Sequence, residues 1–555
     1  MSSSVSSRDS VDSKTSGTSP KYSDSISEKY NVDDAEVPVL SKQHPFLEPR
    51  TAEYWSGIYE QAEYECRHKF DPSFTWTKGE EKKLLRKLDF YIMGWVWIMF
   101  FSLDLVRQNL HRALAGTFLE DLNINQNDVN NGQIIFYLCF LSMELPSGLI
   151  SKKVGAPVWV PVQIVGWSIV GVCQAALRNR AGFFITRALL GICMGGFIPD
   201  IILYLSFFYT SAELNVRMSW FYTVLGVSQI VSSLLATGFL RLQGLHGVAG
   251  WSYLFAFDGL ISGVIGIFAF FLLPSSATQT AGLLRGKKGW FTDREESILV
   301  NRILRDDPSK GDMNNRTGVS LSGILACLKE FDLWPVYIIA FFSMIAYQPP
   351  TTFLSYILRL MGKSTFESNM LAIPSQALFA INTVWYAWLS TRLREKSLMT
   401  SLSCIWVLVC LIAIVVLPKE FTSHLNWSRY AILTLITGYP FPLAFLVGWV
   451  SQNSFSVRNR TVSLCLLNMS VQVGSIMATR FYTDGEKPFY QNGNIALIAV
   501  SAFSILLCIL AKLYYIHRNN QKKKIWDRMT PEQQVEYTTT TTSTGPRRLD
   551  VMFIH

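Results

Sequence analysis

Between residues 90 and 516 the chain holds about twelve apolar runs of membrane-spanning length, and a hydrophilic stretch of roughly fifty-five residues divides them six and six. A helix of ~20 apolar residues crosses a bilayer with every backbone N–H and C=O paired within itself, so each run reads as one helical passage. The expected passages fall roughly at 89–110, 132–150, 157–177, 182–209, 217–240, 252–273, 333–357, 368–390, 398–417, 430–451, 461–480 and 495–516. The fold expected is therefore an all-α membrane protein with twelve transmembrane helices in two six-helix halves. A pair of such halves places a solute site between them, near the bilayer midplane.

Composition supports a lipid setting. Only 16% of residues are charged, where a soluble chain carries about 25%. The formal charge of +9 does not point to nucleic acid, because the basic residues crowd the ends of apolar runs, where they orient the protein. Seven of the nine cysteines lie in apolar runs and none forms a CxxC pair, so they read as packing residues. No glycine loop for nucleotides, metal-ligand cluster or nucleophile–base arrangement is visible; Gly191–Gly196 sits in an apolar run without a following Lys. No cofactor and no enzymatic activity are expected.

The parts expected are an N-terminal tail (1–80, largely disordered), a six-helix half (81–274), a central loop (275–331), a second six-helix half (332–516) and a C-terminal tail (517–555). Lys152, Lys153, Arg217, Arg392 and Lys522 to Lys524 fall in connections on one side. That bias puts both termini and the central loop in the cytoplasm. Asn426-Trp427-Ser428 then lies outside as a glycan acceptor, and Asn315-Arg316-Thr317 lies inside. No cleavable leader is read at the N-terminus. The central loop should form a short surface helix near Glu295–Leu304.

Charge inside a membrane is costly, so each instance is a functional candidate. Asp104, Arg107, Gln108 and His111 follow the i, i+3, i+4, i+7 rule and share one face of the first passage, which should line the cavity. Arg107 reads either as a planar fork for an anionic substrate or as half of an Asp104–Arg107 ion pair. Asn109 joins the substrate candidates. His111 and Arg112 read as solvated or snorkelling. Glu144 is a proton carrier or a carboxyl paired with a neighbouring helix. Arg187 contacts either substrate or an acid of its own half, and Asp200 pairs near a cytoplasmic gate. The second half offers Tyr347, Gln376, Tyr439, Trp449, Gln452 and Asn453 as orienting groups. Gly195-Gly196, Pro349-Pro350 and Pro440 mark close packing or breaks that permit rocking.

Several local patterns resemble the fungal allantoate permease branch of the major facilitator superfamily, the anion:cation symporters. The most specific is Tyr482-Thr-Asp484-Gly-Glu486-Lys-Pro488-Phe-Tyr490-Gln-Asn-Gly493-Asn494. Trp449-Val-Ser451-Gln-Asn453, Arg458-Asn-Arg460, Asn369-Met-Leu-Ala-Ile373-Pro374-Ser375, Gly195-Gly196-Phe197-Ile-Pro199-Asp200 and Gly250-Trp251-Ser-Tyr-Leu-Phe255 follow the same order in both halves. The resemblance covers about residues 80 to 516. It implies a monomer in the plasma membrane that takes up a small organic or inorganic anion with protons, of the allantoate/carboxylate or sulfonate/sulfate type. The chain departs from the pattern at Val106 and Met194, where acids are usual, at Ser252 in place of Arg, and at Ser151-Lys152-Lys153, which lacks an acid. Proton coupling then rests on Asp104, Glu144 or Asp200, or it is weakened to a facilitator or exchanger. A transporter-like nutrient sensor is the reading from another class.

Overall fold

The computed structural model describes residues 46, 49–311, 328–393, 395–420, 422–454, 457–530, 533–534, 537, 548–549 and 552–555. The expected disorder of residues 1–45, the Asn315 sequon and the Thr538–Thr542 run lie outside them. Among the described residues the fold is all-α, with an isolated Gly282–Gly286 bridge and no strand. Nine helices of the described residues are long and apolar enough to cross a membrane.

Two helices precede the bundle, α1 (Pro49–Gln61) and α2 (Lys78–Leu88). The first half comprises α3 (Gly94–Ala113), α4 (Gln126–Val154), α5 (Ala156–Gln174), α6 (Arg180–Met194) continuing into α7 (Phe197–Ser206), α8 (Ser211–Phe239) and α9 (Gly250–Leu272). Helix α10 (Asp293–Asp306) follows in the central segment. The second half comprises α11 (Trp334–Ile345) with α12 (Gln348–Leu360), α13 (Ile373–Leu393), α14 (Ser397–Val416), α15 (Ser423–Thr437) with α16 (Leu443–Asn453), α17 (Val457–Ala478) and α18 (Gln491–Trp526).

Helix starts follow local chemistry. Asn125 with Asp128 caps α4, Thr210 with Glu213 caps α8, and Thr292 with Glu295 caps α10, each a reciprocal capping box. Four expected passages are broken where the sequence supplies a breaker, one of them at Ala372, between a short helix Thr365–Leu371 and α13 with its Pro374. Gly196 is left-handed (φ 87°) between α6 and α7, where a Cβ would strike Ser147 of α4. Ala346 closes α11 and Tyr347 opens α12 just before Pro349-Pro350, and Gly438 to Pro442 separate α15 from α16. The last helix runs ten residues beyond the expected end, because Arg518, Gln521 and Lys522 to Lys524 are good helix formers and carry it past the apolar run.

In the first half α3 packs on α8 and α9, α4 on α6, and α5 on α9; in the second, α11 packs on α17 and α18, and α14 on α18. The halves meet through α8 with α13, α4 with α17, and α3 with α12. The arm with α2, the central helix and residues 552–555 share one end, called here the terminal end. At the opposite end, Arg359 donates to the Ala115 and Gly116 carbonyls, Thr365 Oγ1 to Ala115 (2.9 Å), Gln126 and Asn130 to the Tyr482 carbonyl (3.1 and 2.9 Å), and Tyr490 to Gln126 (2.8 Å). These bonds latch the halves together there.

The central helix is not a lone surface helix. Its Ile298, Leu299, Val300, Ile303 and Leu304 are buried against the N-terminal arm. Arg305 donates to the Pro72 and Phe74 carbonyls (3.0 and 2.5 Å) and lies over the Trp76 ring, while Arg302 pairs with Glu213 (2.8 Å). Asn426 sits in the first turn of α15, half-buried, with its Oδ1 out of water, rather than in an open loop.

Candidate functional site

A cavity of about 170 Å³ lies between the halves. From the first half it is lined by Asp104, Arg107, Gln108, His111, Gln133, Phe136, Tyr137 and Arg187, and from the second by Tyr347, Gln348, Gln376, Tyr439, Asn468, Gln472 and Ser475. The four positions expected on one face of the first passage all reach it. Helical spacing made that placement legible.

The ionisable groups are arranged unevenly. Asp104 is buried and accepts from Ser228 Oγ of α8 and from Gln108 Nε2 (3.2 Å). Arg107 makes no ion pair with it: among the described residues no carboxylate stands within 4.0 Å of the Arg107 guanidinium, which lies 5.4 Å over the Phe136 ring. Arg187 is 2% exposed, and its Nε and Nη2 have no hydrogen-bond partner. It lies 5.6 Å over the Phe183 ring, and no acid of its half pairs with it among the described residues. Two guanidinium groups thus face a pocket whose one lining carboxylate is engaged by neutral donors.

His111 and Arg112 depart from the expectation of solvation. His111 lies between Gln108 (3.0 Å) and Gln133 (3.1 Å) in the cavity wall. Arg112 is buried and donates to Ser355 Oγ of α12 (3.1 Å) and the Gln229 carbonyl (3.4 Å). Both side chains point between helices, because α3 is enclosed by α8, α9 and α12 where it nears its end.

The other candidates separate. Tyr347 and Gln376 line the cavity, with Tyr347 stacked on Tyr439 at 4.0 Å. Asn109 does not line it. One position beyond Gln108, it is turned about 100° away; oriented to donate, its amide nitrogen reaches Asp258 Oδ2 of α9 (2.5 Å). Trp449 and Asn453 also miss the cavity. They lie six and ten residues past Leu443, which lines it, or about 9 and 15 Å along the axis toward the terminal end. There Trp449 Nε1 and Asn453 Nδ2 donate to the Ile554 carbonyl (2.7 and 2.9 Å). Glu144 is 1% exposed just beyond the cavity, where its Oε1 accepts from Asn468 Nδ2 (2.8 Å) and its Oε2 has no partner. Asp200 accepts from Ser147 Oγ (2.9 Å) behind it, away from the cavity. Val106 faces Gly171 of α5, so its departure from the acidic pattern leaves the cavity wall unchanged.

Sequence reasoning missed Gln133, Tyr137, Gln348, Asn468, Gln472 and Ser475. A signal was present: Asn468, Gln472 and Ser475 repeat at i, i+4, i+7, a polar stripe along one face of α17. Ser475 Oγ donates to Gln348 Oε1 (2.8 Å), and Gln348 Nε2 donates to Tyr137 OH (2.6 Å), so the stripe crosses to the first half.

Comparison with known proteins agrees with this architecture. Residues 96–479 match the family described as Major Facilitator Superfamily. An uncharacterized transporter of Saccharomyces cerevisiae is 48% identical over 513 residues, covering 92% of this chain and 94% of its own length. An uncharacterized transporter of Schizosaccharomyces pombe is 25% identical over 454 residues (81% and 89%). The major facilitator-type transporter hxnP of Emericella nidulans is 24% identical over 456 residues (80% and 88%).

Proposed function

Because the chain belongs to the major facilitator superfamily, whose members here are multi-pass membrane transporters and not enzymes, we propose that it imports a small organic or inorganic anion by alternating access, in symport with protons. The observation that carries this reading is the pair Arg107 and Arg187. Both guanidinium groups face the cavity, and among the described residues no carboxylate stands at ion-pair distance from either. A charge held out of water without a partner, as at Arg187, is costly, and a bound anion supplies the partner. Two planar forks suit a carboxylate, sulfonate or sulfate, with Tyr347, Gln376 and Gln348 orienting the remainder from the second half. Membership of the allantoate permease branch, a plasma-membrane location with cytoplasmic termini, and a monomeric state belong to the same proposal.

Glu144 is the proton site in this scheme. Its carboxyl bridges the halves through Asn468 just beyond the cavity, on the side away from the latch. Protonation removes the charge that strengthens the hydrogen bond from the Asn468 amide, and so loosens the halves at the terminal end. The anion arriving with its proton therefore favours opening toward that end.

The test is uptake by the purified chain in proteoliposomes of labelled allantoate, a sulfonate, sulfate, nicotinate and pantothenate, at acid and neutral pH. Saturable accumulation of one anion, stronger at acid pH, is expected. Uptake that persists unchanged when a protonophore collapses the gradient would mean an uncoupled facilitator or exchanger. Binding of an anion without accumulation would mean a sensor.

A further inference from the structure

The segment joining α9 to α10 contains a tight basic turn. Gly282 N donates to the Gly286 carbonyl (3.2 Å), Gly289 N donates to the same carbonyl (3.3 Å), and Trp290 N donates to Thr280 Oγ1 (3.1 Å). Gly286 (φ 82°) and Gly289 (φ 71°) take the left-handed backbone this turn needs. The turn is fixed to the bundle. Trp290 stacks on Tyr91 at 4.7 Å, just before α3 begins, and Tyr204 OH donates to the Pro274 carbonyl at the base (3.0 Å). Tyr91 is three residues before the start of α3 and Pro274 two residues past the end of α9, so the turn is anchored at the boundary of the membrane-spanning bundle.

Its side chains are of two kinds. Leu283 is 84% exposed, Leu284 52%, and Phe90 beside Tyr91 76%. Lys287 and Lys288 are exposed, and Arg285 folds back so that a Cβ on Gly282 would lie 2.7 Å from its Nε. Arg285 Nε and Nη1 are out of water without a hydrogen-bond partner. Among the described residues none of the three cations has a carboxylate at ion-pair distance. The cations of the adjoining arm and central helix do: Lys69 pairs with Asp293, Lys87 with Glu295, Arg294 with Glu80, and Arg302 with Glu213. Acids are thus plentiful on this face and none serves the turn. Exposed leucines beside uncompensated cations at a membrane boundary match an interface where acyl chains meet anionic headgroups.

We propose that the turn of residues 282–289 is a binding site for an anionic phospholipid. Leu283 and Leu284 enter the acyl-chain boundary. Arg285 swings off Gly282, breaking no hydrogen bond, and takes the headgroup phosphate, with Lys287 and Lys288 flanking it.

The experiment is native mass spectrometry of the detergent-solubilised full chain titrated with phosphatidylserine or with phosphatidylcholine of the same acyl chains. Wild type is expected to retain phosphatidylserine in preference. The preference should weaken about fivefold for each cation removed in Arg285→Gln and in Lys287→Gln with Lys288→Gln. Leu283→Ser with Leu284→Ser should lower retention of both lipids. Leu283, Leu284, Lys287 and Lys288 are at an exposed tip and Arg285 makes no hydrogen bond there, and monodispersity on size exclusion checks that each variant is folded. Equal retention of the two lipids by wild type, or a preference unchanged when Arg285→Gln, Lys287→Gln and Lys288→Gln are combined, overturns the proposal. Displacement of phosphatidylserine by inorganic phosphate alone assigns the cations to a free anion and overturns it too.

Discussion

The two halves of the bundle bring different chemistry to one cavity. The first supplies its charges, Asp104, Arg107 and Arg187, together with His111; the second supplies neutral donors and rings, Tyr347, Gln348, Gln376, Tyr439, Asn468, Gln472 and Ser475. A single half carrying the cations can hold an anion while the other half closes over it or withdraws. If both halves carried cations, empty closure would bring like charges together, at a cost of several kcal/mol in a low-dielectric site. The division therefore suits a transporter that must also return unloaded.

The largest effect should come from breaking this asymmetry at its charged side. Arg107→Ala is expected to reduce anion uptake by about 30-fold or more, since truncating one member of a buried charge pair costs about 2–5 kcal/mol, while the protein still reaches the membrane. Arg107→Lys should restore only a small part, because an ammonium cannot present two parallel donors. Uptake in proteoliposomes with matched protein amounts checks both. Normal uptake by the alanine variant removes Arg107 from the site.

Arg187 sharpens the comparison through a stability measurement. A guanidinium that serves only to hold helices together would leave the protein weaker when replaced. A guanidinium waiting for substrate is a liability in the empty protein. Arg187→Met should therefore leave the empty protein as stable as wild type or more so, by up to about 1–4 kcal/mol, and should abolish stabilisation by substrate. Thermal unfolding with and without the transported anion separates the two roles.

Glu144→Gln tests the one carboxyl that touches the neutral half. The amide keeps an oxygen for Asn468 but cannot release or accept the proton. Exchange of labelled for unlabelled anion should continue within about threefold of wild type, the range of one neutral hydrogen bond, while acid-stimulated accumulation disappears. Retained acid stimulation shifts the proton to Asp104 or Asp200.

How much of this could be read from residues alone depends on what determines each feature. Apolar runs and the polar divider set the passages, because the bilayer imposes one length and internal hydrogen bonding on every one of them. The cavity face of α3 was legible since 104, 107, 108 and 111 lie on one helix and need no partner to be aligned. Asn109 was misplaced by a single position, which on a helix is a third of a turn. Trp449 and Asn453 were misplaced differently: depth along an axis depends on where α15 breaks into α16, and the Gly438–Pro442 interruption does not announce how far the second piece projects. Arg112 against Ser355, Glu144 against Asn468 and Gln348 against Tyr137 join residues more than two hundred positions apart. Only the docking of the two halves brings them together.

The smallest expected effect on transport lies outside the cavity, where the first half carries the arm and central helix and the second is closed by a few C-terminal residues. Arg305 ties α10 to the arm through two backbone carbonyls and the Trp76 ring. Cys66 is buried in the same arm, with its Sγ 3.5 Å from Thr278 Oγ1, and so reports on whether the arm is seated. Arg305→Ala should raise maleimide labelling of Cys66 by about tenfold, since hydrogen bonds from a charged donor contribute about 1.5–3 kcal/mol, with anion uptake changed less than about twofold. Acid should act in the same direction. Burial raises the Glu295 carboxyl, but the Lys87 ammonium (2.6 Å) and the Thr292 cap outweigh it and leave it below its ordinary range. A depressed carboxylate contributes its stability above the unfolded value, about 4.3, and loses it as pH falls through the folded one. Labelling of Cys66, corrected for the slower thiolate reaction in acid, should therefore increase below about pH 4.3. The increase should be smaller than that from Arg305→Ala, because a partly exposed ion pair contributes under about 1 kcal/mol.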